Sequence, residues 1–172
     1  MLTQEYLQSI LHYAPESGVF TWIKTSKAGW VGKTAGCIRL HPNCKKTQNK
    51  LHYLVIHILG KLYKAHRLAW LYMTGKFPEG LIDHEDGNGL NNKFSNLRPA
   101  TVFTNNQNSV RPITNSSGYK GVYPHKKNGT WIAQITYNKV QHYLGSFATP
   151  EAASEAVRAK RIELHGEFAN HG

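Results

Sequence analysis

The sequence predicts an α+β fold in two parts. Short strands and helices surround a strand–loop–strand–helix segment, and a three-stranded antiparallel sheet packed on one helix follows. Three observations predict it. Apolar residues alternate between helical spacing and short strand-like runs through the first hundred positions. A polar, Pro-broken stretch from Val110 to Ser117 then interrupts the pattern. Beyond it, three strand-like runs precede one Ala-rich helical run. The expected divisions are 1–60, a helix and short strands; 61–110, a central module; 111–116, a linker; and 117–172, a C-terminal domain.

The elements follow in order. Thr3 suits a helix N-cap, and Leu7, Ile10 and Leu11 recur at helical spacing until Pro15 and Gly18 stop them. Val19-Phe20-Thr21-Trp22 and Tyr53-Leu54-Val55-Ile56 are strand-like. Ala65, Leu68, Ala69 and Tyr72 mark a second helix, ended by Gly75 and Pro78. Leu81 to His84 reads as a strand entering a tight loop at Asp86-Gly87-Asn88-Gly89, with Leu97-Arg98 as its partner strand. A helix is expected from Thr101. Three more strands are expected at Tyr119 to His125, Thr130 to Tyr137 and Val140 to Ser146. Asn128-Gly129 is a strong hairpin signal and Asn138-Lys139 a weaker one. Thr149 caps the last helix, Pro150 is its first residue, and Gly166 suits its end.

Charge is segregated. The chain has 172 residues, 21 Lys plus Arg, 10 Asp plus Glu, and a net charge of +11. Between Ser17 and Pro78 there are 11 basic residues and no acidic one. The acids of the middle cluster at Asp83, Glu85 and Asp86. A basic surface broken by one acidic knot suits a polyanion partner and a cation site, against the bland reading of a solubility charge. Cys37 and Cys44 make no disulfide framework. Cys37, His41 and Cys44 offer three zinc ligands without a fourth nearby, so a zinc site there is disfavoured and left open. No apolar run approaches the roughly 18 residues a membrane helix needs. The first ten residues lack a secretory pattern. The expectation is a soluble intracellular protein.

The knot carries chemistry. Asp83 offers a carboxylate and Asn105 an amide carbonyl, hard oxygen donors that suit Mg²⁺ or Mn²⁺ better than zinc. A strand–loop–strand–helix path brings the two together. His84 has a reference pKa of about 6.5, so it takes a proton near neutral pH. A base beside a phosphate-binding cation is what phosphodiester hydrolysis requires. The same residue types also cap turns, and a lone His is more often structural.

His66-Arg67-Leu68, Ile82-Asp83-His84-Glu85-Asp86-Gly87-Asn88, Leu90-Asn91-Asn92, Ser95-Asn96-Leu97-Arg98 and Asn105-Asn106-Gln107-Asn108 together resemble the HNH family of phage and intron-homing endonucleases. The resemblance spans roughly residues 60 to 110. It implies a ββα-metal (His-Me finger) module, a metal-dependent cut leaving 5′ phosphate and 3′ hydroxyl ends, and one divalent cation, Mg²⁺ or Mn²⁺. It makes Asp83 a metal ligand and His84 the general base. Asn96 becomes the brace of the loop between the strands. Asn105 becomes the second ligand, with Asn106 as fallback. For His66 a packed histidine is preferred over a functional one, and Asp86 is expected to shape the loop.

Gly118-Tyr119-Lys120-Gly121-Val122, Trp131-Ile132-Ala133-Gln134-Ile135, Leu144-Gly145-Ser146-Phe147, Glu151-Ala152-Ala153 and His165-Gly166-Glu167-Phe168-Ala169 resemble the Apetala/ethylene-response-factor DNA-binding domain. That resemblance implies a sheet lying in the major groove of double-stranded DNA. Carried over by position, contacts fall on Lys120, Tyr123, His125, Gln134, Thr136, Gln141 and Tyr143, with Lys126 and Lys127 reaching phosphate. Several of these are arginines in the plant domains, and their absence here weakens guanine readout. The expectation is a monomeric, phage-encoded homing-type nuclease acting in the cytoplasm of an infected bacterial host. The alternative is a non-catalytic DNA-binding protein or regulator with a degenerate nuclease module.

Overall fold

The computed structural model describes residues 2–25, 29–40, 52–108, 115–126 and 128–171. His41, Cys44 and Lys127, named among the sequence candidates, lie outside the described residues. The chain forms two compact units, Met1–Thr101 and Val102–Gly172.

In the first unit, helix α1 (Gln4–Ile10) starts on Thr3, whose hydroxyl accepts from the Tyr6 N–H at 3.2 Å. Helical spacing extends to Leu11, yet the helix stops at Ile10. Leu11 instead opens strand β1 (Leu11–Ala14), paired antiparallel with β2 (Val19–Trp22). Strand alternation puts Leu11 and Tyr13 on one buried face, which another turn of helix would separate. Strands β3 (Cys37–Leu40), β4 (His52–Ile58) and β5 (Lys61–Lys64) form an antiparallel sheet in that order. Helix α2 (Ala65–Thr74) follows directly and buries Ala65, His66, Leu68, Ala69 and Leu71.

Strand β6 (Leu81–His84) pairs antiparallel with β7 (Leu97–Ala100). A single 3₁₀ turn, Phe94–Asn96, leads into β7. Residues expected as a separate region, 1–60, share one core with α2, β6 and β7. That core includes Leu7, Leu11, Phe20, Ile56, Leu68, Ile82 and Leu97. Each such burial contributes about 1.5–3 kcal/mol before entropy is counted, so the early residues are structural partners of the later ones.

In the second unit, helix α3 (Val102–Gln107) comes first. Sequence reading grouped it with residues 61–110. Here its Phe103 ring meets Tyr137 at 5.5 Å, and the Asn170 amide donates to Asn108 O at 3.0 Å and Oδ1 at 3.1 Å. Strands β8 (Val122–Pro124), β9 (Trp131–Tyr137) and β10 (Val140–Phe147) form an antiparallel sheet with β9 central. The tight turn joins β9 to β10, where Asn138 and Lys139 both take positive φ, 49° and 65°. The more typical hairpin pair, Asn128-Gly129, sits in a longer connection closed by His125 N–H on Thr130 O at 2.8 Å. Helix α4 (Pro150–His165) is capped by Thr149, whose hydroxyl accepts from Ala152 N–H at 3.2 Å. Its Ala153 and Val157 pack on Val122 and Ala133 of the sheet.

One junction in the first unit positions everything near β6. The Tyr13 hydroxyl donates to Asn92 O at 2.6 Å, and the Phe94 N–H donates to Pro15 O at 3.0 Å. Gly18 takes φ +74°, and a Cβ there would stand 2.4 Å from the Asn92 carbonyl carbon. A Gly18→Ala change is therefore strained in φ and blocked by backbone at once. It is expected to destabilise the first unit by about 1–3 kcal/mol, read as a lower midpoint in urea unfolding of the full chain.

Candidate functional site

Asp83 and His84 end strand β6, and both are buried. The register sets Asp83 opposite Arg98 on β7. Asp83 Oδ2 accepts from Arg98 Nε and Nη2, each at 3.0 Å. Two charge-assisted bonds to one oxygen hold the carboxylate still. Arg98 closes the motif Ser95-Asn96-Leu97-Arg98, and only the strand register sets it opposite Asp83.

His84 Nε2 lies 3.5 Å from Asn92 Oδ1. The Asn92 amide is 1 % exposed, and its Nδ2 donates to Leu90 O at 3.0 Å. That second bond fixes which end of the amide faces the imidazole. Oδ1 accepts, so Nε2 carries the proton and Nδ1 holds the lone pair of the neutral ring. Burial lowers the His84 pKa, against the opposing pull of Asn92 and of the Asp86 and Asp83 charges. The ring is therefore neutral at pH 7 and able to accept a proton. Asn92 is the residue that sequence reading missed: it appeared as one of several asparagines, without a reason to single it out.

His66, in the first turn of α2, packs edge-to-face on His84 with ring centroids 4.8 Å apart and planes at 89°. Tyr53 of β4 contacts both rings, at 5.5 Å and 6.1 Å. His66 Nδ1 is buried and meets no hydrogen-bond partner among the described residues. Burial, then the charges of His84, Lys64 and Arg67, pushes its pKa down to about 3.

Asn96 joins both ends of the β6–β7 loop. Its Oδ1 accepts from Asp86 N–H at 3.1 Å, and its Nδ2 donates to Asp86 Oδ1 at 3.0 Å and Asn91 O at 2.9 Å. The Asp86 carboxylate also accepts from Asn88 N–H at 2.8 Å and Asn91 Nδ2 at 2.7 Å. Partial burial raises the Asp86 pKa, but these hydrogen bonds outweigh it and hold the group below its usual range. Its oxygens serve the loop.

Asn105 lies half-buried on α3, in the second unit. The side chain of Asn106 lies outside what the structure describes. Among the described residues, no group of three or more His, Cys, Asp or Glu side chains is placed to hold a metal ion. The donor chemistry nonetheless fits a hard cation at Asp83, since a buried carboxylate is the oxygen ligand such ions favour. Cys37 is an exposed thiol on β3.

On the second unit's sheet, alternation buries Ala133 and Ile135 and leaves Thr136 exposed and Gln134 half-buried. Gln134 pairs across strands with Tyr143, and Thr136 with Gln141. Tyr123 and Tyr143 are 47 % and 64 % exposed, so five candidate contacts share one polar, aromatic face. His125 and Lys126 follow β8 in its connection to β9. Lys120 differs: its ammonium donates to Asn170 O at 3.2 Å, and burial, then Arg161, lowers its pKa to about 8. Among the described residues, no helix is long and apolar enough to cross a membrane.

A family model described as HNH endonuclease matches residues 63–110. Protein 3.8 of Escherichia phage T7 is 38 % identical over 113 residues, covering 63 % of this chain and 93 % of that protein. The uncharacterized HNH endonuclease L560 of Acanthamoeba polyphaga mimivirus is 38 % identical over 122 residues, 70 % of this chain and 62 % of its own. DNA endonuclease I-HmuI of Bacillus phage SP01 is 40 % identical over 52 residues, 30 % of each chain. A solved structure of DNA binding and cleavage by the HNH homing endonuclease I-HmuI aligns with 91 % of this chain and 85 % of its own. Its identity is 19 % and its TM-score 0.39, too loose a match to bear on the fold.

The buried histidines predict a pH dependence of stability. Unfolded, His66 binds a proton near 6.5; folded, only near 3. Between those values the unfolded chain binds more protons, so stability falls as pH drops from 6.5 towards 3, by about 1.4 kcal/mol per unit for His66 alone. Unfolding midpoints across that range are expected to fall less steeply in a His66→Phe variant than in the wild type.

Proposed function

We propose that this chain, which belongs to the HNH endonuclease family, is a metal-dependent endonuclease that hydrolyses phosphodiester bonds in double-stranded DNA. The observation that carries the reading is the neutral imidazole of His84. Its Nε2 faces Asn92 Oδ1, one residue from the carboxylate of Asp83. Asp83 would hold one Mg²⁺ or Mn²⁺; the second ligand that the motif implies is Asn105. Residues 61–110 then act as a ββα-metal nuclease module. When bound, the cation supplies charge stabilisation at the scissile phosphate and the leaving 3′ oxygen.

The chain's own residues do the rest. His84 Nδ1 takes the proton of the attacking water, and Nε2 passes none because Asn92 Oδ1 accepts its hydrogen. Asn96 braces the loop so that the end of β6 stays in place. Arg98 fixes the orientation of the Asp83 carboxylate. The P–O3′ bond breaks, the leaving 3′ oxygen takes a proton from solvent, and the products are a 5′ phosphate and a 3′ hydroxyl.

Residues 117–172 would act as an Apetala/ethylene-response-factor-like DNA-binding domain. The face carrying Tyr123, Gln134, Thr136, Gln141 and Tyr143 would meet the major groove together with His125, with Lys126 near phosphate. Lys120 contributes there only after leaving Asn170. The phage and viral relatives support a nuclease acting in an infected host, and a homing-type role for a monomer belongs to the same proposal.

A second reading, a non-catalytic DNA-binding protein, is favoured by one observation: Arg98 already occupies Asp83 Oδ2 with two hydrogen bonds. Sequence-specific binding with no cleavage across Mg²⁺, Mn²⁺ and other divalent ions would establish it.

Plasmid nicking with Mg²⁺ tests the nuclease. His84→Ala is expected to slow cutting on the order of 10²–10⁴-fold, and a chelator to stop it. If His84→Ala cuts as fast as wild type, the base is misassigned. The lowered His84 pKa puts the acid limb of the rate profile below 6.5, because a protonated ring accepts nothing. Above that limb the rate should be level, measured under single-turnover conditions.

A further inference from the structure

His66 belongs to no step of the chemistry above, yet its ring rests on the base. We infer that His66 is a positioning residue: its imidazole ring holds His84 upright, so that Nε2 keeps facing Asn92 and Nδ1 faces the reacting water. The inference rests on the nuclease reading of His84.

The geometry decides between two ways of holding that ring. The His84–Asn92 contact is 3.5 Å, the outer limit for a hydrogen bond, and a bond of that length restrains an imidazole weakly. The ring contact lies near the short end of its range. His66 meets His84 at 4.8 Å with planes at 89°, inside the range for edge-to-face packing. A 180° flip of His84 about its Cβ–Cγ bond would exchange Nδ1 for a carbon and aim the wrong atom at water. A ring standing perpendicular against it obstructs that flip.

His66 is itself held. It is 4 % exposed, sits in the first turn of α2, and has Tyr53 on a further side at 5.5 Å. Tyr53 is backed by close packing: a Cβ on Gly89 would stand 2.4 Å from His52 O and 2.9 Å from the Tyr53 ring. Three elements, β4, α2 and β6, therefore converge through three rings. Among the described residues His66 makes ring contacts and no hydrogen bond, and its Nδ1 is unpartnered. What it contributes to His84 is the ring and not a nitrogen.

The test uses the full chain, supercoiled plasmid and Mg²⁺, with His66→Ala, His66→Leu and His66→Phe. His66→Ala and His66→Leu are expected to lower kcat at least tenfold with KM for DNA unchanged. His66→Phe, which restores a ring, should stay within about threefold of wild type. Equal cutting by all four proteins overturns the inference. So does a His66→Phe as impaired as His66→Ala, since the nitrogen would then be the working part, and so does a loss confined to KM.

A second readout does not require cleavage or the Ala variant to fold. In ¹⁵N spectra at pH 7.5, His84 should show one tautomer in wild type and His66→Phe, with Nδ1 unprotonated, and a mixture in His66→Leu. A single unchanged tautomer in His66→Leu overturns the inference. If wild type cuts nothing while the tautomers behave as stated, the nuclease reading has failed and the positioning of His84 stands.

Discussion

A single buried amide organises the first unit. Asn92 is almost wholly enclosed, and three of its polar groups are committed: its backbone carbonyl accepts from Tyr13, its Nδ2 donates to Leu90 O, and its Oδ1 faces His84. An unsatisfied amide at that depth would cost about 1–3 kcal/mol, so the conformation that satisfies all three is strongly selected. The β1–β2 hairpin supplies one of those partners and lies against the same backbone at Gly18. The state of the histidine is therefore set, in part, by residues some 70–80 positions earlier in the chain.

Around that amide, a strongly basic chain manages its few acids by burial and hydrogen bonding. Asp83 is paired with Arg98 across one register step. Asp86 is spent on the loop, where Asn88, Asn91 and Asn96 donate to it. Burial keeps His84 and His66 uncharged among these groups. A neutral imidazole beside a fixed carboxylate is a usable base, while an exposed one would be partly protonated and free to rotate. The second unit shows the opposite economy. Its sheet places tyrosines and amides outward and covers its inner face with the small side chains of α4.

Much of this was legible because it is local. Thr3 and Thr149 cap the helices that their side-chain chemistry predicts. The two runs flanking the acidic knot form paired strands. What local signals missed has identifiable causes. Leu11 fits a helix by spacing, but pairing with Trp22 claims it for a strand. Asn138-Lys139 makes the tight hairpin turn although Asn128-Gly129 is the better turn dipeptide, because the strands around 138 are in register to close there. Helix α3 packs with residues beyond it because Phe103 and Asn108 find partners in Tyr137 and Asn170. Asn92 and Arg98 were visible as letters, but their roles depend on what stands opposite them.

The amino-acid order alone determined the elements, the charge segregation and the neighbouring pair Asp83–His84, since propensity, capping and motif spacing act within a few residues of chain. The three-dimensional packing decided which nitrogen of His84 keeps its lone pair, that the ring is uncharged, and that His66 and Tyr53 stand against it. Those properties arise from burial and from contacts between β4, α2, β6 and the hairpin. Desolvation and side-chain packing depend on distance in space, and separation along the chain does not encode it.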